Sequence, residues 1–188
     1  MKKLLILTAI LSLNLFTIAQ AKIAIGIKGG LNYSKLDVTN ISTSGKTGVN
    51  GGAFALFRFA KIGIQPEVIL SQQGSEVDLS DLESNYINIP IILKIYMAAG
   101  VNLQIGPQFG FLNKAEFDDN RGDVKDLLKT SDISAGLGLG WDAPFGLSLD
   151  ARYNLGITDN NNGLYNETVK NQVFQLSVGL KIFKFGKK

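Results

Sequence analysis

Alternation of apolar and polar residues, sustained over residues 86–111, is the feature that most constrains what this chain can fold into. Apolar residues occupy every second position from Ile87 to Met97 and again from Val101 to Phe111, with only 98–100 between the two series. A period of two predicts β-strands rather than helices. The segment is therefore predicted to be an antiparallel hairpin whose opposite face is largely polar.

The same period recurs along the rest of the chain, in six further segments: 22–34, 48–60, 61–73, 132–142, 145–157 and 172–185. Long and short connections alternate between them. The long ones are 38–46, 74–85, 113–130 and 159–171, and the short turns lie near Lys61, at 98–100 and at Ala143-Pro144. Glycine is also abundant, at 21 residues. This rhythm predicts an all-β, eight-stranded antiparallel up-and-down barrel with its long loops on one rim.

The apolar faces of the predicted strands are nearly free of charge over about ten residues, the length that a tilted strand needs to cross a bilayer. The opposite faces carry glycine, serine, asparagine, glutamine and most of the charges. A soluble ligand-binding barrel in the periplasm, the alternative, would point its apolar face inward. Apolar-out and polar-in is the pattern of a transmembrane barrel with a polar, filled lumen.

Aromatic residues sort to the two ends of the strands. Near the short turns lie Phe57, Phe59, Trp141, Phe145 and Phe183, and near the long loops lie Tyr33, Phe109, Phe111, Tyr153 and Phe174. Transmembrane barrels carry aromatic girdles at both membrane interfaces. We therefore expect these ten residues to form two such girdles.

The first residues have the form of a secretory signal peptide. Lys2 and Lys3 precede a mostly apolar run over 4–18, and Ala19-Gln20-Ala21 is a small-residue cleavage motif. A membrane-anchoring helix is the alternative, but the run is short for a full span. We expect a signal at 1–21, cleaved after Ala21 or Ala19, and a barrel domain at 22–188. An even strand number would place both termini in the periplasm, with the barrel in the bacterial outer membrane.

Composition excludes several functions. The chain has no cysteine and no histidine, so disulfides, thiolate metal sites and a Ser-His-Asp arrangement are impossible. The formal net charge is +3, and Lys2 and Lys3 supply two of those charges from the leader. No concentrated basic patch favours nucleic acid. We expect no enzymatic activity, no cofactor and no nucleic-acid partner.

Charged residues on the inward faces are the candidate site. These are Lys28, Arg58, Glu67, Lys94, Asp132, Asp150, Arg152 and Lys181. An eight-stranded barrel is just wide enough for side chains to fill it, and buried charges need partners. We expect an ionic plug in which Glu67 and Asp150 bridge Lys28, Lys94 and Arg152. A gated ion path and a buried acid–base site are the alternatives.

Three further motifs do not establish a function. Residues 118–123 read Asp-Asp-Asn-Arg-Gly-Asp, which places oxygen ligands close together, but the spacing does not match an EF-hand and no metal site is assigned. The tripeptide Arg121-Gly122-Asp123 within it matches a cell-adhesion sequence, but a match of three residues is too short to establish an adhesion function. The glycines at 136, 138 and 140 lie in an alternating strand, which rules out a phosphate-binding loop.

Several short motifs resemble the PorT-type outer-membrane β-barrel family of Gram-negative bacteria. They are GIKGGLNYS at 26–34, QPE at 65–67, YINIP at 86–90 with Lys94, GPQ at 106–108, DARYN at 150–154 and VGLK at 178–181. The resemblance covers the whole mature chain and implies a small barrel related in architecture to OmpA and OmpX. Such barrels do varied jobs, so the resemblance is specific for fold rather than for function.

The functional expectation is a non-enzymatic integral outer-membrane barrel that acts in envelope structure, adhesion or ligand contact through its surface loops. A narrow porin-like channel for small solutes or ions is the alternative, and a soluble periplasmic barrel is a third reading. The expected partners are outer-membrane lipid, the outer-membrane assembly machinery and an extracellular ligand at the loops.

Overall fold

The computed structural model describes residues 21–38, 43–77, 80–117, 122–123, 131–158 and 169–186. These residues form nine strands: β1 Lys22–Val38, β2 Thr43–Phe59, β3 Ile62–Val77, β4 Ser80–Tyr96, β5 Val101–Phe117, β6 Gly122–Asp123, β7 Ser131–Asp142, β8 Leu147–Gly156 and β9 Val169–Phe185. Within the described ranges, no helix is long and apolar enough to cross a membrane. The predicted signal peptide and most of 118–123 lie outside the described residues.

Antiparallel pairing of successive long strands continues around the whole sheet and closes on itself. β4 pairs with β5, β5 with β7, and β9 returns to pair with β1 along its length. The two-residue β6 pairs only with the far end of β5, so it adds no member to the ring. The result is a closed, eight-stranded antiparallel barrel, which confirms the predicted fold class. Closure leaves none of the eight long strands as an edge strand.

Three short turns lie at one end of the barrel, which we call the short-turn end. Ala60 and Lys61 join β2 to β3, residues 97–100 join β4 to β5, and residues 143–146 join β7 to β8. Gly146 has φ of 109°, a conformation that side chains rarely tolerate. β1 begins and β9 ends at this same end. The strand ends that flank the other connections lie at the opposite end, which we call the long-connection end after the segments between β5 and β7 and between β8 and β9.

Strands β1 to β5 extend further toward the long-connection end than the sequence pattern indicates. The predicted loop 74–85 is wrong in extent, because β3 continues to Val77 and β4 starts at Ser80. The predicted loops 38–46 and 113–130 are likewise shortened by β2, which starts at Thr43, and by β5, which ends at Phe117. Apolar alternation marks only the part of a strand that has one apolar side, whereas the backbone ladder continues where both faces are polar.

The barrel is apolar outside and polar inside, as predicted. Leu70 and Leu137 on the outer face are more than 60% exposed, while Lys94 and Gln104 on the inner face are fully buried. The inner face also contains a small apolar cluster of Ala24, Phe54 and Leu56 near the short-turn end. Each residue on the outer face therefore contacts whatever solvent surrounds the barrel, and each residue on the inner face packs across the lumen.

Prolines interrupt the ladder without shifting its register. Pairing between β3 and β4 is absent around Pro90, and pairing between β4 and β5 is absent around Pro107, but the register is the same on both sides of each gap. Proline has no backbone N–H to donate to the neighbouring strand. Each proline is thus accommodated by a local break in pairing rather than by a bulge.

A true register shift occurs where the barrel closes. Gly26 is opposite Lys181 but Ile25 is opposite Phe183, so Ile182 is an extra residue on β9. Ile182 and Phe183 are consecutive and both are exposed on the outer face. The bulge therefore reverses which residues face inward and which face outward in the part of β9 that follows Ile182.

Candidate functional site

The interior of the barrel is the candidate site, because it gathers almost all the buried charge of the described residues. Strand alternation places one long polar or charged side chain from nearly every strand on the inner face. Arg152, Lys94, Gln104 and Glu67 are each less than 2% exposed. Charges buried to this degree require partners within the protein.

Glu67 on β3 is the first centre of this network. Its Oε1 accepts a hydrogen bond from Arg152 Nη2 at 2.9 Å, and its Oε2 accepts one from Arg152 Nη1 at 3.3 Å, so the guanidinium binds the carboxylate through both oxygens. Lys28 Nζ lies 3.4 Å from each oxygen, and Gln65 Nε2 donates to Oε1 at 2.8 Å. One carboxylate thus joins β1, β3 and β8 across the lumen.

Asp150 on β8 is the second centre. Its Oδ2 lies 3.1 Å from Lys28 Nζ and its Oδ1 lies 3.3 Å from Lys94 Nζ. Gln104 also donates its side-chain amide to Asp150, and its own amide oxygen accepts from Arg152 Nη2 at 3.0 Å. Lys28 therefore links the two carboxylate centres into one network.

Asp142, at the end of β7, is a third centre that is not among the predicted lumen charges. Its Oδ1 lies 3.3 Å from Lys94 Nζ, its Oδ2 lies 2.8 Å from Lys181 Nζ, and Tyr96 donates its hydroxyl to Oδ2 at 2.7 Å. The residue directly precedes the turn at Ala143-Pro144, where the alternation ends. Its position two residues after inward-facing Gly140 nevertheless puts it on the inner face, and that spacing is the signal that identifies it.

The remaining two predicted lumen charges lie apart from this network. The Arg58 guanidinium stacks on the Tyr96 ring, 3.7 Å from its centroid, and its Nε donates to the carbonyl of Ala60 at 3.0 Å. Asp132 lies toward the long-connection end, where its side chain sits over Gly110. The structure thus brings Lys28, Glu67, Lys94, Asp150, Arg152 and Lys181 together through shared carboxylates.

Neutral polar side chains fill the lumen between the charged network and the long-connection end. Asn50 donates to Asn32 Oδ1 at 2.9 Å, Ser177 donates to Asn50 Oδ1 at 3.1 Å, and Asn171 donates to Gln73. A cavity of about 10 Å³ beside Asn154 is the size of one water molecule. This cavity can hold a water molecule but no larger solute.

The network contains three carboxylates and four cationic groups in direct contact, so its charges are nearly balanced. Each carboxylate contacts two cations that come from other strands. Among the described residues, no three acidic groups are close enough together to hold a metal ion. The ion pairs therefore join the strands of the barrel across the lumen.

The predicted aromatic girdles lie on the outer face. Eight of the ten residues are exposed, and Trp141 and Phe59 are half-buried. Tyr33 is opposite Phe174, which is in turn opposite Tyr153, so three aromatics lie side by side on neighbouring strands near the long-connection end. At the other end Trp141 donates its indole N–H to the carbonyl of Ala99 at 3.0 Å. An aromatic ring with one polar tip suits a membrane interface.

Solved outer-membrane barrels share this fold. Neisserial surface protein A (NspA) aligns with a TM-score of 0.62 at 15% identity, covering 84% of this chain and 97% of that protein. Ail, the attachment invasion locus protein of Yersinia pestis, aligns with a TM-score of 0.55 at 17% identity, covering 88% of this chain and 99% of that protein. Ail in complex with the heparin analogue sucrose octasulfate aligns with a TM-score of 0.54 at 18% identity, again covering 88% and 99%.

Sequence comparison identifies the family. No curated protein sequence matches this chain significantly. The family profile described as outer membrane protein beta-barrel domain matches residues 18–162, which is more than half of the chain. The match covers β1 to β8, and thus all three carboxylate centres of the interior network. This chain therefore belongs to the outer membrane protein beta-barrel domain family and is an outer-membrane β-barrel.

Proposed function

We propose that this barrel is a non-conducting, non-enzymatic anchor in the outer membrane that presents its long-connection end for envelope structure, adhesion or ligand contact. The observation that carries the proposal is the filled interior. Arg152 and Lys94 extend into the lumen from β8 and β4 and are held there by Glu67, Asp150 and Asp142. Because the lumen is filled with paired side chains, the parts that can act on other molecules are the rims and the outer wall.

A narrow channel for ions or small solutes is the competing function, and a conductance measurement separates the two. The purified barrel is reconstituted into planar bilayers at neutral pH. We expect no reproducible open events from the wild type, nor from Glu67→Leu, because Arg152, Lys94 and Gln104 still occupy the same cross-section. A stable current through the wild type would contradict the anchor proposal and support the channel.

The anchor proposal also requires an orientation, with the short turns in the periplasm and the long connections outside. An even strand number places both chain ends on the short-turn side, and small outer-membrane barrels have short periplasmic turns. An epitope inserted into 159–168 should label intact cells, whereas the same epitope at Ala98–Gly100 should label only permeabilised cells. Labelling of intact cells by the second insertion alone would reverse the orientation.

Adhesion is supported by the likeness to Ail, whose name records attachment and invasion. The sulfated ligand belongs to the Ail complex and is not carried over to this chain. We expect surface binding to depend on the outer segments. Replacing 118–130 and 159–168 by short Gly-Ser turns should abolish attachment of producing cells to a panel of matrix proteins. Unchanged attachment with a correctly folded barrel would leave envelope structure as the role.

We further propose a narrower family and two partners for this barrel. The motifs at 26–34, 65–67 and 86–90 support a place among PorT-type barrels. The exposed aliphatic wall supports outer-membrane lipid as the surrounding solvent, and insertion there implies contact with the outer-membrane assembly machinery. Depletion of that machinery should reduce the amount of heat-modifiable barrel in the membrane fraction.

A further inference from the structure

The mouth of the barrel at the short-turn end holds a cavity of about 330 Å³ with an unbalanced charge. Its lining includes Lys22, Arg58, Lys181 and Lys184 but only one acid, Asp142. Lys181 is paired with Asp142 at 2.8 Å. Among the residues that the structure describes, no carboxylate pairs with Lys22, Arg58 or Lys184. The cavity therefore carries a local excess of three positive charges.

The register of the strands brings these like charges together. Lys22 on β1 is directly opposite Arg58 on β2. Ala24, the next residue of β1 on the same face, is directly opposite Lys184 on β9. Like charges at directly opposed positions destabilise a sheet. An anion bound between them would remove this repulsion.

The bulge at Ile182 is what turns Lys184 toward the cavity. Without an extra residue in β9, Lys184 would share the outward face of Leu180 and Ile182. With it, Phe183 faces outward beside Ile25, and Lys184 is opposite Ala24 and lines the cavity at the mouth. Bulges commonly re-aim a side chain next to a functional site. Lys184 thus adds a fourth cation to a mouth that already holds Lys22, Arg58 and Lys181.

Arg58 is held in position while its terminal nitrogens remain uncommitted. Its guanidinium stacks on Tyr96 at 3.7 Å, and only its Nε donates to a described acceptor, the carbonyl of Ala60. A planar guanidinium with free terminal N–H groups matches the geometry of phosphate oxygens, and lysines add point charges. The donor set therefore fits a phosphate better than a simple halide.

We propose that this mouth binds a phosphate group, and that its source in the membrane is the headgroup of an anionic phospholipid in the leaflet at the short-turn end. The cavity opens beside Ile23 and Phe185, which also line it. Phe185 is 56% exposed on the outer face. An acyl chain can therefore follow the outer wall while its headgroup lies in the mouth. The inference goes beyond the anchor function and requires only that the barrel spans the membrane.

Calorimetric titration of the refolded full chain in a neutral detergent tests the proposal. The probes are dihexanoyl phosphatidylglycerol below its micelle concentration, dihexanoyl phosphatidylcholine, and inorganic phosphate. The variants are Lys184→Gln, whose side chain is exposed, and Arg58→Gln, with Lys61→Gln as a matched control. Lys61 is exposed at the same end but does not line the cavity. Heat-modifiable gel migration verifies that each variant is folded.

We expect one phosphatidylglycerol to bind per barrel. Lys184→Gln or Arg58→Gln should lower its affinity about tenfold, since each removes one charge-assisted hydrogen bond. Lys61→Gln should bind like the wild type, and phosphatidylcholine should bind more weakly. Inorganic phosphate binding as tightly as the lipid, with the same sensitivity to Lys184→Gln, would support the phosphate site but overturn the lipid as its source. The site would be overturned if all variants bound phosphatidylglycerol equally well, or if Lys61→Gln lost as much affinity as Lys184→Gln and Arg58→Gln.

Discussion

Arg152 and Glu67 form a two-oxygen ion pair across the lumen, with Nη2 2.9 Å from Oε1 and Nη1 3.3 Å from Oε2. They are 85 residues apart in the chain, on β8 and β3. Both side chains are almost completely buried, at 1% and 0% exposure. A pair in this position joins opposite walls of the barrel and occupies the space through which a solute would have to pass.

Replacing Glu67 by Gln should lower the free energy of unfolding by about 3 kcal/mol or more, because Arg152 and Lys28 lose their shared carboxylate while remaining buried. Urea titration in lipid vesicles, followed by fluorescence of the single Trp141, measures the change. The double variant Glu67→Gln/Lys28→Gln serves as the control. It restores the charge balance and should be more stable than Glu67→Gln alone. A double variant whose loss equals or exceeds the sum of the single losses would contradict an ionic network.

Replacing Asp142 should lower the free energy of unfolding more than replacing Tyr96, which donates a hydrogen bond to it. Asp142→Asn removes the carboxylate that Lys94 and Lys181 share, so we expect a loss of about 3 kcal/mol. Tyr96→Phe removes one hydrogen bond to the same oxygen and should cost about 1–2 kcal/mol. The same urea titration compares the two variants. Equal losses would show that Asp142 acts mainly as a hydrogen-bond acceptor for Tyr96.

A methyl group inside the lumen should be far more costly than one on the outer wall. A Cβ at Gly140 would collide with the side chains of Gln104, Asn102 and Asp150, whereas a Cβ at Gly29 would meet only a backbone oxygen at 3.6 Å. Gly140→Ala should therefore cost about 1–3 kcal/mol through overpacking, and Gly29→Ala about 0.5 kcal/mol or less. The temperature of the heat-induced gel shift gives the ranking. The reverse ranking would mean that the lumen is not tightly packed.

An arginine on the outer wall distinguishes a barrel surrounded by lipid from one surrounded by water. Leu137 lies midway along β7 and is 62% exposed, while Phe145 lies in a turn at the short-turn end and is 70% exposed. In vesicles Leu137→Arg should cost about 2–4 kcal/mol and Phe145→Arg about 0–1 kcal/mol, because the penalty depends on depth in the bilayer. Unfolding in phosphatidylcholine vesicles measures both. Two small and equal effects would indicate an aqueous surround.

Much of the fold follows from the sequence because the physical signal is local. Leu137 and Leu139 alternate with Gly136 and Gly138, and this period predicts the strand and its two faces, while the number of such strands and the rhythm of their connections predict the closed ring. In β2 the inward position predicted for Arg58 agrees with the buried Phe54 and Leu56 on the same face and with the exposed Phe57 on the other.

Other features cannot be predicted from a local sequence pattern. The contacts of Asp142 depend on where β7 ends relative to β4 and β9, and no periodicity reports that position. The bulge at Ile182 inverts the faces of the last residues of β9, so a strict alternation would assign Lys184 to the wrong side. The extension of β3 to Val77 is equally hidden, since backbone pairing between polar strands leaves no hydrophobic trace.

Pairing between the first and last strands has a consequence for how the barrel is made. Lys28 on β1 contacts Asp150, which lies 122 residues later in the chain. Until β8 and β9 are in place, Lys28 lacks one of its two carboxylate partners and the edge of β1 lacks its ladder, and an open sheet edge is costly to leave in hydrocarbon. Membrane insertion and ring closure should therefore occur together and late, after synthesis of the last strand, so that a chain truncated before β9 remains outside the bilayer.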